Sequence, residues 1–149
     1  MADDRPILRV VGGAIRRGPE LLITQRRPGD SYALHWEFPG GKVEAGEDDP
    51  TALARELLEE LGVQVAVGDL VKRVLHPLPS VVLDLRVYSC TITSGTPRTL
   101  GVHALAWVRL EPGHDGTLGR AFPPADEPIL AALRVQARQD GPSPAEAQG

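Results

Sequence analysis

An α/β fold, in the broad sense that includes α+β, is predicted by three features of the chain. Several apolar stretches alternate with period two or run unbroken over strand length. Two other stretches carry apolar residues at helical spacing, and the breaks between segments are rich in glycine and proline. At 149 residues the chain is one domain by length, long enough to bury a core. That domain is expected over residues 1–139. The remaining residues, 140–149, are rich in Pro, Gly and Ala with no apolar anchor and are expected to be a disordered tail.

Residues Ile7 to Ile15 read as a strand buried on both faces, since apolar residues follow one another with few breaks. Gly12 and Gly13 are unfavourable inside a strand and mark a bulge or a close approach. Arg16-Arg17-Gly18-Pro19 is turn chemistry, and Glu20 to Arg26 reads as the returning strand of a hairpin. After a loop over Arg27 to His35, Trp36-Glu37-Phe38 is a short extended piece ended by Pro39. A helix is predicted to start at Asp48 or Asp49, either of which can cap it, with Pro50 at the first helical position. Gly62 stops it in a left-handed conformation. On this helix Leu53, Leu57 and Leu61, with Ala54 and Leu58, share an apolar arc, and Glu56, Glu59 and Glu60 are expected on the opposite side.

Gln64 to Leu75 reads as a further strand, broken at Gly68-Asp69. His76 to Ser80 reads as a loop because of its two prolines. Val81 to Thr93 and His103 to Leu110 alternate as strands, with a turn between Ser94 and Thr99. Pro112 to Arg120 is a Gly-rich loop. Phe122 to Pro128 leads into a last helix, Ile129 to Arg138, with Ile129, Leu130, Leu133 and Ala137 at helical spacing.

Composition narrows the function classes. A net charge of −4 gives no general affinity for a nucleic-acid backbone, so a nucleic-acid polymer is not the expected partner. The single cysteine, Cys90, excludes an internal disulfide. No apolar run approaches ~18–20 residues, which excludes a transmembrane helix, and the first residues lack an apolar signal core. A cytoplasmic protein with no membrane partner is expected. The oligomeric state is not fixed by the sequence, and a monomer is favoured.

The chemistry concentrates between Trp36 and Val63. Three carboxylates on adjacent helical turns repel each other unless something positive binds between them. Their oxygens suit Mg²⁺ or Mn²⁺, and Mg²⁺ commonly bridges to substrate phosphates. For the bare run ELLEE the alternative is a solvated acidic face. Arg55 and Glu59 are placed for an ordinary surface pair, and Glu47 for a charge at the helix start. Gly40 and Gly41 permit a close backbone approach, and Lys42 is a candidate phosphate contact.

Seven dispersed residues, Gly41, Glu47, Arg55, Glu56, Glu59, Glu60 and Gly62, fit one spaced pattern, with Leu57 and Val63 apolar where it requires apolar. Such a match arises by chance roughly once in 10⁸–10⁹ start positions at ordinary residue usage. The pattern is the Nudix box, and the chain resembles the Nudix hydrolases, which use a divalent metal to cleave nucleoside diphosphates linked to another group. The resemblance implies a mixed sheet sandwiched between helices. It implies that Glu56, Glu59 and Glu60 are metal ligands and act in catalysis together with Arg55, and that the Gly40 carbonyl is a further ligand. It also implies that Glu47 ties the preceding loop to the helix. Several members carry an acidic residue on the loop before the strand containing Trp107. Here that loop, Thr99 to His103, has no carboxylate, so Glu59 and Glu60 are the candidate general bases, with His103 behind them.

One subgroup is resembled beyond the box. WEFPGGKVEAGE and FPPADEP are similar to segments of the MutT-type enzymes, which remove oxidised guanine nucleotides from the precursor pool. Those enzymes have asparagine where this chain has Asp126. An ionised aspartate only accepts, which suits the N1–H and N2–H₂ of a guanine; a protonated one suits the N4 amine and N3 of cytosine. A related cytidine-triphosphate pyrophosphohydrolase group has aspartate in its ADxP motif and is similar also through VGDL and GTL. A third reading of Asp126 is a cap for the last helix. Of Arg26 and Arg27, an arginine there meets phosphate in the MutT-type enzymes, and Arg27 is preferred. Phe38 and Phe122 are read as a stacking wall or as core, and Phe38 is taken as a substrate contact. The loop from His76 to Val82 lacks the aromatic and the arginine that MutT-type enzymes use near the base.

The expected function is therefore a metal-dependent nucleoside-triphosphate pyrophosphohydrolase that converts 8-oxo-dGTP to 8-oxo-dGMP and pyrophosphate. The alternatives are a CTP or dCTP pyrophosphohydrolase and, from another class, a nucleotide-sensing domain that does not hydrolyse. Nucleotide-sugar and dinucleotide hydrolases tend to carry motifs beyond the box, and none is identified here.

Overall fold

The computed structural model describes residues 4–110 and 120–140. Most of the Gly-rich loop and almost all of the tail discussed above lie outside the described residues. The chain runs β1 (Ile7–Arg17), β2 (Glu20–Gln25), β3 (Trp36–Glu37), β4 (Gly40–Lys42), α1 (Asp49–Leu61), β5 (Gln64–Pro77), β6 (Val82–Ser94), β7 (Ala104–Arg109), a 3₁₀ turn (Pro124–Asp126) and α2 (Glu127–Asp140). The strands lie in the order β3-β2-β1-β6-β5, with β4 pairing β1 and β7 pairing β2. β1 and β6 are parallel, from Ile7↔Val82 to Ile15↔Cys90, and every other pair is antiparallel. This is a mixed sheet.

β1 is the central strand, and its two-residue period divides the core. Val11 and Ile15 pack with Ala52, Leu53, Leu57 and Leu61 of α1. Ala14, with Val10 against it, packs with Phe38, Phe122 and the α2 residues Ile129, Leu130 and Leu133. Each helix thus covers one face of the sheet, the sandwich implied by the box. Burial on both faces holds only for Val11–Ile15; Ile7 is largely exposed. Gly12 and Gly13 mark a close approach rather than a bulge, since the β1–β6 register runs through them unbroken. A Cβ at Gly12 would lie 3.3 Å from the Phe38 Cβ on one face, and one at Gly13 would lie 3.3 Å from Leu57 Cδ1 on the other.

Turn chemistry acts much as predicted. Arg17↔Glu20 closes a two-residue hairpin loop in which Gly18 takes φ +56°. The Gly68-Asp69 break is a pair of register shifts between Val67 and Lys72, within a strand that continues on both sides. The expectation of a loop from His76 is corrected: β5 runs through Pro77, which pairs with Val82, and the turn is closed by Leu78 N–H on the Val81 carbonyl at 2.8 Å. β5 is the outer strand, so Pro77 can end it without leaving a partner unsatisfied.

Asp48 caps α1, accepting from Thr51 N–H at 2.9 Å, and Gly62 ends it at φ 71° with its N–H on the Leu58 carbonyl. The neighbouring Asp49 does more. Its carboxylate accepts from Arg86 Nε and Nη2 and from Tyr88 Oη, each at 2.5 Å, and from Arg9 at 3.2 Å. Arg86 and Tyr88 belong to β6, so the start of α1 is bolted to the centre of the sheet. The Asp48 cap is worth ~1 kcal/mol, whereas breaking a largely buried ion pair strands the surviving charge. Asp49→Ala is expected to cost ~2–4 kcal/mol, more than Asp48→Ala, in urea denaturation; equal losses would count against the anchor.

Candidate active site

The loop before α1 is shaped by two glycines whose freedom is used fully. A Cβ on Gly40 would lie 2.0 Å from the Val11 carbonyl oxygen, and one on Gly41 would lie 2.3 Å from the Glu56 carboxyl carbon. Only hydrogen fits at either position. The loop therefore presses its backbone against β1 on one side and against α1 on the other, with Val11↔Gly41 and Gly12↔Gly40 in register.

Arg55 fastens this loop to the helix. Its Nε and Nη2 donate to Glu47 at 2.8 and 2.9 Å, its Nη2 also to the Lys42 carbonyl at 3.2 Å, and its Nη1 to Glu56 at 3.0 Å. The contact from Nη1 to Glu59 is looser, 3.5 Å to each oxygen. The guanidinium holds the Glu47 carboxyl down at about 2, so Glu47 stays ionised. In turn it accepts from Glu44 N–H at 2.9 Å and closes the loop.

The expectation that the three helix glutamates lie opposite the leucines is corrected. At ~100° per residue, Glu60 falls only about 20° from Leu53 and Glu56 about 60°, between Leu53 and Ala52 on the covered side. Leu58, by the same count, points away, and it is 51% exposed. Glu60 and Glu56 are accordingly half-buried, and Glu59 is exposed. Burial first, then the charges of Glu56 and Glu37, push the Glu60 carboxyl up to about 8. Burial also raises Glu56, against the pull of Arg55.

Glu60 opens into a cleft of about 510 Å³ lined also by Gly40, Gly41, Lys42, Arg27 and Gly101, and by Arg26, Glu37 and Asp126. Its apolar wall is Leu8 and Val10 of β1 with Leu83 and Leu85 of β6. Gly40 N–H faces Glu60 Oε2 at 3.4 Å. Arg27 donates to the Leu100 carbonyl at 3.0 Å, and the Leu100 and Gly101 N–H groups both donate to the Glu60 carbonyl at 3.0 Å. Asp126 is 6% exposed, and among the described residues its buried Oδ2 has no hydrogen-bond partner. Burial, then the charge of Glu37, push its carboxyl up to about 8.

The sequence-derived residues thus divide. Gly40, Gly41, Lys42, Glu60, Arg27 and Asp126 line one cleft, and Glu56 lies against Gly41 at its edge. Phe38 does not line the cleft; it is buried in the core, its ring 6.4 Å from that of Phe122. Glu59 and His103 are exposed and outside it. The lining also includes Glu37, which the sequence did not single out as a substrate contact, and Arg26, weighed there against Arg27; the two are joined by a 2.7 Å ion pair. Their signal was the charged Glu37 between Trp36 and Phe38, an acid in an otherwise apolar strand.

Among the described residues no three His, Cys, Asp or Glu side chains converge into a finished cation cage. What the chain offers is Glu60, open to the cleft beside the backbone of Gly40, with the half-buried carboxylate of Glu56 against the neighbouring Gly41. That donor set fits a hard cation completed by water and phosphate, which is how Mg²⁺ is usually held. It also explains the strained electrostatics, since a bound cation relieves the desolvated Glu60.

The sign of that strain is testable. The Glu60 carboxyl sits at about 8 in the fold against 4.5 for an ordinary glutamate. Its neutral form therefore contributes stability that is complete below pH ~4.5 and is lost as pH rises through ~8. In metal-free buffer Glu60→Gln is expected to match the wild type at pH 4.5 and to exceed it increasingly up to pH 8, by on the order of 1 kcal/mol per pH unit. Denaturant melts at several pH values check this; a pH-independent difference would refute it.

Comparison with known proteins agrees with the geometry. The NUDIX domain profile matches residues 6–132. A Mycobacterium tuberculosis protein named "Putative 8-oxo-dGTP diphosphatase 2" is 45% identical over 128 residues, 83% of this chain and 86% of that one. An Escherichia coli protein named CTP pyrophosphohydrolase is 34% identical over 127 residues, 85% and 91% of the two chains. The crystal structure of a MutT Nudix hydrolase from Burkholderia pseudomallei superposes with a TM-score of 0.74 at 28% identity, covering 85% of this chain and 98% of that one. With the box closed by Arg55, the sandwich formed around β1 and these relatives matching over most of their length, the chain belongs to the Nudix hydrolases, a family generally dependent on divalent metal ions.

Proposed function

We propose that the cleft binds a nucleoside triphosphate, with 8-oxo-dGTP as the leading substrate, and hydrolyses it to the monophosphate and pyrophosphate. The observation that carries this reading is Asp126: a buried carboxyl with an unpartnered oxygen, in the same cleft as Glu60, Gly40 and Lys42. A site with a phosphate-and-metal end and an orphaned polar group at the other end is built to hold both ends of a nucleotide.

Asp126 is more useful neutral than ionised. With its carboxyl at about 8, it keeps its proton at neutral pH and offers one donor and one acceptor, the same pair as the asparagine of the MutT-type segment. 8-Oxoguanine carries N7–H beside O6, so a neutral Asp126 accepts from the first and donates to the second. Undamaged guanine shows two acceptors there, N7 and O6, and leaves the Asp126 acceptor facing a lone pair. Cytosine shows a matching donor and acceptor, N4–H₂ and N3. The second reading, a CTP or dCTP pyrophosphohydrolase, is therefore favoured by the same observation, and relatives bearing both names fit one edge.

At the other end, Glu56, Glu60 and the Gly40 carbonyl would hold Mg²⁺ or Mn²⁺, with Glu59 at the outer side. When bound, the cation neutralises the diphosphate and lowers the pKa of a coordinated water. Arg27 and Lys42 line the same end and meet the phosphate charge. Of the candidate bases, Glu60 reaches the cleft whereas Glu59 and His103 do not, so Glu60 is best placed to take the proton of the attacking water. Arg55 positions Glu56 and the loop without reaching the cleft itself.

Purified protein with Mg²⁺ or Mn²⁺ is expected to release pyrophosphate from 8-oxo-dGTP well ahead of dGTP, with CTP and dCTP deciding the second reading. No turnover of any nucleotide by folded protein, with binding retained, would instead support a sensing domain. Glu60→Gln is expected to reduce turnover to near background while leaving nucleotide binding largely intact.

Asp126 gives a second test. The rate constant kcat/KM for 8-oxo-dGTP is expected to fall as pH rises through ~8, where Asp126 loses its donor. Asp126→Asn, which cannot ionise, should keep activity and flatten that limb. Asp126→Ala should erase the preference over dGTP, and an unchanged preference would remove Asp126 from base recognition.

A further inference from the structure

Two acidic side chains in the cleft, Asp30 and Glu37, are used neither by the box nor by base recognition, and of these Glu37 is the half-buried one. Glu37 lies on β3, three residues ahead of Gly40, and lines the same cleft as Glu60 and Asp126. Its charge bears on both of those carboxyls, which makes it the carboxylate common to the surroundings of the metal end and the base end. In any nucleotide the group between base and phosphates is the sugar, whose free hydrogen-bonding groups are hydroxyls.

Glu37 is held ready. Arg26 Nη1 takes Oε2 at 2.7 Å, and among the described residues no donor takes Oε1. Arg26 is itself held in place, its Nε on the Ser31 carbonyl at 2.6 Å and its Nη2 near Ser31 Oγ at 3.3 Å, which fixes the guanidinium beside Glu37. Its backbone pairs with His35 and Leu34 across the loop base, at 2.9 and 3.2 Å. A half-buried carboxylate with one oxygen committed and the other free is a fixed acceptor awaiting a donor. The one donor that ribose and deoxyribose share is the 3′-hydroxyl.

We propose that Oε1 of Glu37 accepts a hydrogen bond from the 3′-hydroxyl of the bound nucleotide, making Glu37 the sugar-recognising residue of the cleft. This rests on the nucleotide reading above, and the experiment separates the two. kcat/KM is measured for 8-oxo-dGTP and for its 2′,3′-dideoxy counterpart, and for CTP and 3′-deoxy-CTP, with wild type, Glu37→Ala and Glu37→Gln.

For the wild type, loss of the hydroxyl is expected to cost about 10–100-fold, the scale of a hydrogen bond to a charged group. In Glu37→Ala the penalty should shrink to within ~3-fold, and in Glu37→Gln, which keeps a neutral acceptor, it should be intermediate. A merely structural role for Glu37, through release of Arg26 and its loop, would slow both members of each pair in parallel and leave the ratio at its wild-type value; that result overturns the proposal. So does a wild-type enzyme that turns over both members equally, a result that leaves the nucleotide reading standing. Failure of the wild type on every parent nucleotide removes the nucleotide reading and this proposal with it. If Glu37→Ala does not fold, the ratio in Glu37→Gln decides alone, and a wild-type value there overturns the proposal.

Discussion

Desolvated carboxylate charge is the constraint on which this structure turns. Glu37, Glu60 and Asp126 line one cleft, and burial raises all three. A buried carboxylate has three remedies: a fixed cation, a proton, or a mobile cation. The cleft uses each once. Glu37 is paired with Arg26, the raised carboxyl of Asp126 favours its proton near neutrality, and Glu60, with no cationic partner among the described residues, suits the bound ion proposed above. On the proposals above, these three carboxyls would face the sugar, the base and the phosphates respectively.

Holding Glu60 in that position requires a backbone packed closer than side chains allow. Gly40 and Gly41 fill the space between β1 and α1, and Gly101 lies against Glu60 from the other side, where a Cβ would come 3.2 Å from its Cα and Cγ. The N–H groups of Leu100 and Gly101 take the Glu60 carbonyl, and Arg98 N–H takes that of Leu61. A loop distant in sequence therefore finishes the last turn of α1, whose carbonyls would otherwise lack partners. The loop from Thr99 to His103 serves here to fix Glu60, and Arg27 is tied to the same support through the Leu100 carbonyl.

Local chemistry was legible in the sequence, and long-range electrostatics was not. The Asp48 cap, the Gly62 stop, the Gly18-Pro19 turn and the alternation of β6 all depend on neighbours within a few residues, and each is found where spacing puts it. The spaced box also identified the helix that carries the site. Misplacing the glutamates opposite the leucines had a specific cause: charge was taken as a sign of exposure, although the helical count already put Glu60 beside Leu53. Phe38, which the sequence leaves between a stacking wall and the core, packs its side chain into the core beside the Gly12 vacancy on β1. The Asp49–Arg86–Asp84–Arg73 chain links residues from α1, β5 and β6 and leaves no periodic trace. The pairing of Arg26 with Glu37 was hidden in the same way, since only the β2–β3 register brings them together.

If a neutral Asp126 presents one donor and one acceptor, hydrogen bonding alone does not separate 8-oxoguanine from cytosine, because both bases complete the pair. Size then becomes the discriminating property. The wall of Leu8, Val10, Leu83 and Leu85 is apolar and continuous across the β1–β6 pair, so the larger ring system buries more surface against it. The second ring of a purine adds ~40 Å² of contact, worth about 1 kcal/mol, or roughly a fivefold preference. That margin is small beside the cost of presenting the wrong edge, which leaves a buried acceptor unpaired. A cleft that used Asp126 in this way would reject undamaged guanine strongly and separate its two matching bases weakly, with the oxidised purine ahead.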